Sequence, residues 1–273
     1  MSDKEIRDLL EIAVQASIEA GFKVLEIYKD DFDVILKSDK SPLTIADTAS
    51  NDIITAHLEK TGIPILSEEG KEVSFEERST WAYFWMVDPL DGTKEFVKRN
   101  GEFTINVALV HQQKVIAGVV FAPVLKDLYF GSVEMASVKI EKIQENESSS
   151  SLDELLSRAI SIPVKDEARA FTVVASKSHM TSETEEFIND LKKTHSEISI
   201  ISKGSSLKIC MVGEGAADVY PRFAPTMEWD TAAGHAVVKF AGGNIMNNEN
   251  KSELLYNKKS LLNPWFIVTS PIS

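Results

Sequence analysis

Apolar positions near the N-terminus fall on helical spacing. Ile6, Leu9, Leu10, Ala13, Val14, Ser17, Ala20 and Val24 return every three or four residues, which predicts a long amphipathic helix. A turn at "SPLT" precedes "IADTASNDIITAHLEK", which repeats the pattern and predicts a second helix. The period then changes. "IPILSEEG" is a short apolar run ending in acids, and "WAYFWMVDPLDG" is another. The second is too continuous for a half-exposed strand and predicts a buried one. "FTINVALVHQQKVIAGVVFAPVLKDLYFGS" predicts successive strands with a hairpin at Gln112–Gln113 and His111 exposed at its turn.

Composition shifts at "KIQENESSSSLDELLSRAI", a polar, serine-rich tract that reads as an insertion or a boundary and need not be ordered. Beyond it strands and helices alternate through "AFTVVAS", "TSETEEFINDLKK", "SEISIISKGS", "SLKICMVGEG", "AADVYPRF", "WDTAAGHAVVKFAGG" and "PWFIVTS". The fold class is therefore α/β, with an α+β half over residues 1–150 and an α/β half over residues 151–273. "GEGAAD" lacks the third glycine of a dinucleotide fingerprint and precedes a strand, so that motif is set aside.

The 273 residues carry 42 acidic and 29 basic side chains, a formal charge of −13. This excludes broad phosphate neutralisation, hence nucleic acid as a partner. A small phosphorylated substrate fits if bound metal supplies positive charge locally. Cys210 is the only cysteine, which leaves no disulfide or thiolate cluster; among apolar neighbours it reads as a buried, inert thiol. No signal peptide is evident, and no apolar tract reaches the roughly 20 residues of a membrane span. The expected location is the cytoplasm, free or peripheral at the inner membrane.

Acids cluster at the predicted strand ends: Glu68 and Glu69 close one strand, Asp88 and Asp91 the next. Crowded carboxylates raise one another's pKa unless cations lie between them, and all-oxygen ligands select hard ions. Pro89 turns the chain so that Asp88, Asp91 and the Leu90 carbonyl can face one point. Gly92 and Thr93 then open a helix whose N-terminus could seat phosphate. A lone Asp-x-x-Asp would more simply be a solvated turn; joined to "SEE" and the distant "EWDTAAGH", it favours a metal centre.

"DPLDGTKEF", "SEE" at 67–69 and "EWDTAAGHAVVKFAGG" resemble, in order, the three motifs of the inositol monophosphatase superfamily of Mg²⁺-dependent phosphomonoesterases. "KSDKSPLTIAD", "ASKSH", "GSSLK" and "YPRFAPTMEWD" most resemble its CysQ-type 3'(2'),5'-bisphosphate nucleotidase branch. Lys94-Glu95 stands where inositol monophosphatases typically carry a Thr-Asn pair, which points the same way. The resemblance implies a layered α-β-α-β-α sandwich like that of inositol monophosphatase and fructose bisphosphatase.

It further implies that Glu68, Asp88, Asp91, Asp230 and the Leu90 carbonyl ligate two or three Mg²⁺ ions, with Mn²⁺ a substitute. Thr93 would orient the attacking water and Asp47 accept its proton, although a helix N-cap is the simpler reading of Asp47. Glu68 would share in catalysis, and Glu69 would stand behind the ligands. Glu68, Leu90, Asp91, Gly92, Thr93 and Asp230 would also meet the substrate, together with His179, Ser205, Ser206, Lys208 and Arg222. His235 reads as packed, and His57 and His195 as helix-surface residues. The implied reaction is hydrolysis of 3'-phosphoadenosine 5'-phosphate to AMP and phosphate, in sulfur metabolism. The rivals are a phosphatase for inositol or sugar phosphates and a metal-binding regulatory protein without catalysis.

Overall fold

The computed structural model describes residues 1–29, 34–36, 42–164, 166, 168–175 and 181–272. Helix α1 (Asp3–Lys29) is followed by a small antiparallel pair, β1 (Val34–Leu36) and β2 (Pro42–Thr44), and by α2 (Ile45–Leu58). Then come β3 (Ile65–Ser67), α3 (Phe75–Arg78), β4 (Tyr83–Asp91), α4 (Thr93–Val97), β5 (Thr104–His111), β6 (Lys114–Ala122), β7 (Asp127–Ser132) and β8 (Met135–Ile140). Helix α5 (Leu152–Leu156) leads to β9 (Ile160–Ser161), and β3 to β9 form one seven-stranded sheet in sequence order. Only β3 and β4 run parallel in it.

The rest alternates: β10 (Phe171–Val174), α6 (Ser182–Leu191), β11 (Ile198–Ile201), α7 (Leu207–Gly213), β12 (Val219–Arg222), α8 (Glu228–Phe240), β13 (Asn244–Asn247) and β14 (Phe266–Thr269). Its five strands form a second sheet in the order β11-β10-β12-β14-β13.

Two cores explain why the β4 run has no polar alternation. Trp85 and Val87 pack towards α1 and α2, with Leu10, Val14, Ile18 and Ile54. Phe84 and Met86 face the other way, onto α7, α8 and the second sheet, with Ile209, Ala233, Val237 and Val268. Both faces of β4 are thus dry. A third core places Ile188 of α6 on the outer face of the second sheet, against Val173 and Val219. The layers run α, β, α, β, α, as the resemblance implied.

Small residues let α8 approach the first sheet closely. A Cβ on Gly118 of β6 would lie 2.6 Å from the Ala236 Cβ and 2.7 Å from the Ala233 carbonyl. Any side chain at 118 would hold α8 off the sheet, so the glycine sets the height of α8, and with it the first turn that carries Asp230.

The serine-rich tract is built rather than loose. Residues Glu145–Ser149 form a 3₁₀ turn, and Ser151 caps α5 reciprocally with Glu154. Glu11 of α1 accepts from the Leu152 N–H at 2.7 Å, and Leu152 and Leu155 are buried in the first core. The chain then adds β9 to the first sheet.

Candidate active site

Parallel pairing puts the carboxyl ends of β3 and β4 side by side. Ser67 is in register with Val87, and the Glu68 N–H donates to the Val87 carbonyl at 3.1 Å, which leaves Glu68 beside Asp88. The β4–β5 ladder runs to Asp88 opposite Asn106 and resumes at Asp91 opposite Thr104, so one extra residue is bulged at Pro89-Leu90. Pro89 has no N–H to offer the ladder. Its carbonyl accepts from Ser50 Oγ of α2 at 2.6 Å, and the Leu90 N–H donates to Asp88 Oδ1 at 3.1 Å. Helix α2 also braces β3, where Ser67 Oγ donates to Asn51 Oδ1 at 2.7 Å. Ser50 and Asn51 escape sequence reading, because they look like ordinary polar positions of a helix.

Asp230 arrives from the other half of the chain. It is the third residue of α8, and its Oδ2 accepts the Met227 N–H at 2.9 Å. Carboxylate oxygens of Glu68, Asp88 and Asp230 lie within 4.8 Å of one another, the one such grouping of potential metal ligands among the described residues. Asp88 is buried, and burial, followed by Glu68, Asp91, Asp230 and Asp47, raises its pKa well above the ordinary range. Burial and then Asp91 push Asp230 up to about 8. Such mutual repulsion between oxygen donors, with Glu68 left exposed at the edge, fits a hard divalent cation.

Asp91 stands outside that trio. Its Oδ2 accepts from the Ser206 N–H at 2.6 Å and lies 2.8 Å from Ser206 Oγ. The same hydroxyl is 2.8 Å from the Asp230 carbonyl and accepts from Asn106 Nδ2 at 3.0 Å. Burial raises the Asp91 pKa, against the pull of Lys208 and the Ser206 bonds. Ser206 therefore ties two candidate ligands from opposite halves together.

Asp47 is not an N-cap. It is buried within the first turn of α2, facing Thr93. Thr93 Oγ1 lies 3.4 Å from Asp47 Oδ2 and 3.5 Å from the Leu90 carbonyl. Both distances are long for oxygen–oxygen hydrogen bonds, which leaves the hydroxyl able to turn towards a water. Gly92, at φ 97°, makes the bend from β4 into the five-residue α4.

Next to this cluster is a cleft of about 300 Å³ whose walls include Asp91, Asp230, Ser205, Ser206, Lys208 and Arg222. Lys98, Lys203, Glu102 and Tyr220 also line it and were missed in the sequence, where they resemble solvated surface. Lys208 packs over the Tyr220 ring at 5.9 Å, and burial lowers its pKa. Arg222 donates through Nη2 to the Pro225 carbonyl at 2.9 Å, while its buried Nε finds no partner among the described residues. Glu69 is half-buried beside Glu68. His179 lies outside the described residues.

The remaining single-residue readings fall away from the cleft. Cys210 is buried, which raises its thiol pKa well above the usual value. His235 is buried and hydrogen-bonded through Nδ1 to Tyr256 Oη at 2.9 Å. His57 meets Glu19 at 2.8 Å, His195 stacks on Phe171, and His111 is half-buried against Tyr83 rather than simply exposed.

The layered α/β sandwich gathers its carboxylates at the ends of β3 and β4 and in the first turn of α8, a donor set suited to a metal-dependent hydrolase. Residues 5–268 match the model of the inositol monophosphatase family, and the chain belongs to that family. The 3'(2'),5'-bisphosphate nucleotidase CysQ of Salmonella typhimurium is 42% identical over 265 residues, covering 96% of this chain and 99% of the relative. The protein of the same name from Escherichia coli K12 is 41% identical with the same coverage. The crystal structure of CysQ from Bacteroides thetaiotaomicron superposes with a TM-score of 0.89 at 48% identity, covering 97% of this chain and 98% of that one. An inositol-monophosphate-bound staphylococcal IMPase-II, at 21% identity and a TM-score of 0.68 over 95% of this chain and 87% of that one, shares the fold.

Proposed function

We propose that this chain is a 3'(2'),5'-bisphosphate nucleotidase that hydrolyses 3'-phosphoadenosine 5'-phosphate to AMP and phosphate. The observation that carries the reading is the lining of the cleft, where Asp91 and Asp230 share the walls with four cations, Lys98, Lys203, Lys208 and Arg222. A substrate with one phosphate needs only the carboxylates and their metal. Four cations around one cleft, Arg222 among them, suit a second phosphate. Relatives named for bisphosphate nucleotidase activity support the same choice.

Mg²⁺ ions held by Glu68, Asp88, Asp91, Asp230 and the Leu90 carbonyl would supply Lewis acidity, activating water and neutralising the departing alkoxide. The chain's own groups do the rest. Thr93 orients the water and passes its proton towards Asp47, which burial in α2 keeps close and fixed. Lys208 and Arg222 hold the phosphate that is not cleaved and so place the scissile one. On this reading residues 1–150 supply most ligands and Lys98, and residues 151–273 supply Asp230 with Lys203, Lys208 and Arg222, so the site needs both parts. The reaction places the chain in sulfur metabolism, in the cytoplasm; none of the described helices is long and apolar enough to cross a membrane.

Phosphate release from 3'-phosphoadenosine 5'-phosphate and from inositol 1-phosphate, each with and without Mg²⁺, tests the proposal. A Mg²⁺-dependent preference for the nucleotide is expected. Preference for the inositol ester would overturn it, and absence of turnover on any phosphomonoester would leave a metal-binding regulatory protein.

A further inference from the structure

Glu102 lies in the link between α4 and β5, outside the acidic cluster, yet it grips the turn that organises that cluster. Its Oε2 accepts the Gly204 N–H at 2.8 Å, and its Oε1 lies 3.3 Å from Lys203 Nζ. Its carbonyl lies 2.5 Å from Ser205 Oγ, which also reaches the Asp91 carbonyl at 3.0 Å. The fit has no slack: a Cβ on Gly204 would stand 2.6 Å from the Glu102 carbonyl oxygen and 2.9 Å from its Cβ. The next residue, Ser205, is held at φ 45°, a left-handed conformation that a serine adopts only under constraint from its surroundings. Beyond it, Ser206 meets the Asp91 carboxylate and the Asp230 carbonyl.

We infer that Glu102 is a positioning residue for metal binding: by clamping the 203–206 turn of the second half onto the first, it sets where Asp91 and Asp230 stand. The connection is short. Gly204 is two residues from Ser206, and a turn that relaxed Ser205 out of φ 45° would swing the Ser206 N–H off Asp91. The candidate ligands would then be correct in kind and misplaced in space. Orienting groups behind metal ligands are commonly worth about 10–100-fold in metal affinity or activity. Lys203 adds charge to the clamp, but the backbone bond to Gly204 sets the geometry, so an uncharged acceptor at 102 suffices.

The inference rests on the metal-dependent reading of the site, so its test reads metal binding without turnover. Mn²⁺ affinity of the full-length, substrate-free protein is measured by calorimetry for the parent, Glu102→Ala, Glu102→Gln and Gly204→Ala, alongside kcat and KM on 3'-phosphoadenosine 5'-phosphate. Glu102→Ala and Gly204→Ala are expected to weaken Mn²⁺ binding about 10–100-fold and to lower kcat more than they raise KM. Glu102→Gln, whose amide oxygen still accepts from Gly204, should stay within about fivefold of the parent. Parent-like Mn²⁺ affinity in a folded Glu102→Ala protein would overturn the inference, as would equal damage in the glutamine variant. If Glu102→Ala does not fold, the contrast between Glu102→Gln and Gly204→Ala decides. A parent that binds Mn²⁺ but spares the nucleotide defeats the proposed substrate and leaves the Glu102 comparison intact; a parent that binds no Mn²⁺ defeats both.

Discussion

Replacing Lys258 with methionine removes the cation from the most deeply buried acid of α8. Glu228 is fully buried, and its carboxylate takes Lys258 Nζ at 2.6 Å, the Lys258 N–H at 3.0 Å and the Asn257 N–H at 2.5 Å. Breaking a buried ion pair by deleting one partner costs about 3–5 kcal/mol when nothing else satisfies the remaining charge. Two backbone donors remain here, and the Lys258 side chain keeps 27% of its exposure, so the loss should fall to about 2–3 kcal/mol. For a chain of this size that is a fall in Tm of about 4–10 °C. The sign with pH follows from the direction of the shift. Burial already raises the Glu228 pKa, against Lys258, and losing Lys258 raises it further. The folded variant then holds a proton that the unfolded chain releases, so its deficit grows as pH rises above the ordinary carboxylate range. Urea unfolding at pH 5 and pH 8, completed as a double-mutant cycle with Glu228→Gln, should give a coupling of about 2 kcal/mol at the higher pH. A loss below about 0.5 kcal/mol, or one independent of pH, would refute the idea that Glu228 is a buried charge held by Lys258.

Other substitutions probe the site and the fold separately. Asp91→Asn should abolish phosphate release while circular dichroism and Tm stay near the parent's; near-normal turnover at saturating Mg²⁺ would break the assigned ligand set. Arg222→Met should raise KM for the nucleotide bisphosphate about 10–100-fold, the worth of a charge-assisted bond to phosphate, with kcat changed far less. His235 is buried neutral, its pKa pushed down to about 3 by desolvation and then by Lys239, so it contributes stability above its unfolded pKa that is lost as pH falls below about 6.5. Unfolding free energy should decline by up to about 1.4 kcal/mol per pH unit in that range from this group, and a matching decline in His235→Gln would assign the effect elsewhere.

Much of the site was legible because its donors sit in short motifs. Asp88, Leu90 and Asp91 share one turn, Glu68 ends the neighbouring strand, and Asp230 opens a helix whose small residues mark close packing. The chemistry of five oxygen donors can be read from residue type alone. Their distances cannot. Asp91, adjacent to that group in sequence, is turned to Ser206 instead of joining the trio of Glu68, Asp88 and Asp230. Asp47 resembled a helix cap until the helix was seen to begin before it.

What the sequence determined by itself are the properties set by neighbours along the chain: helices from apolar spacing, strands from runs and alternation, a kink from Pro89, an acid's identity. The tertiary structure alone decided what depends on segments far apart meeting. Ser50 reaches the Pro89 carbonyl across 39 positions, and Glu102 reaches Gly204 across 102. Neither residue carries a local signal, because a serine in a helix or a glutamate in a loop is equally at home in water. Only the tertiary packing brings each to its partner, Ser50 buried against β4 and Glu102 half-buried on the 203–206 turn, where both can support the candidate metal site.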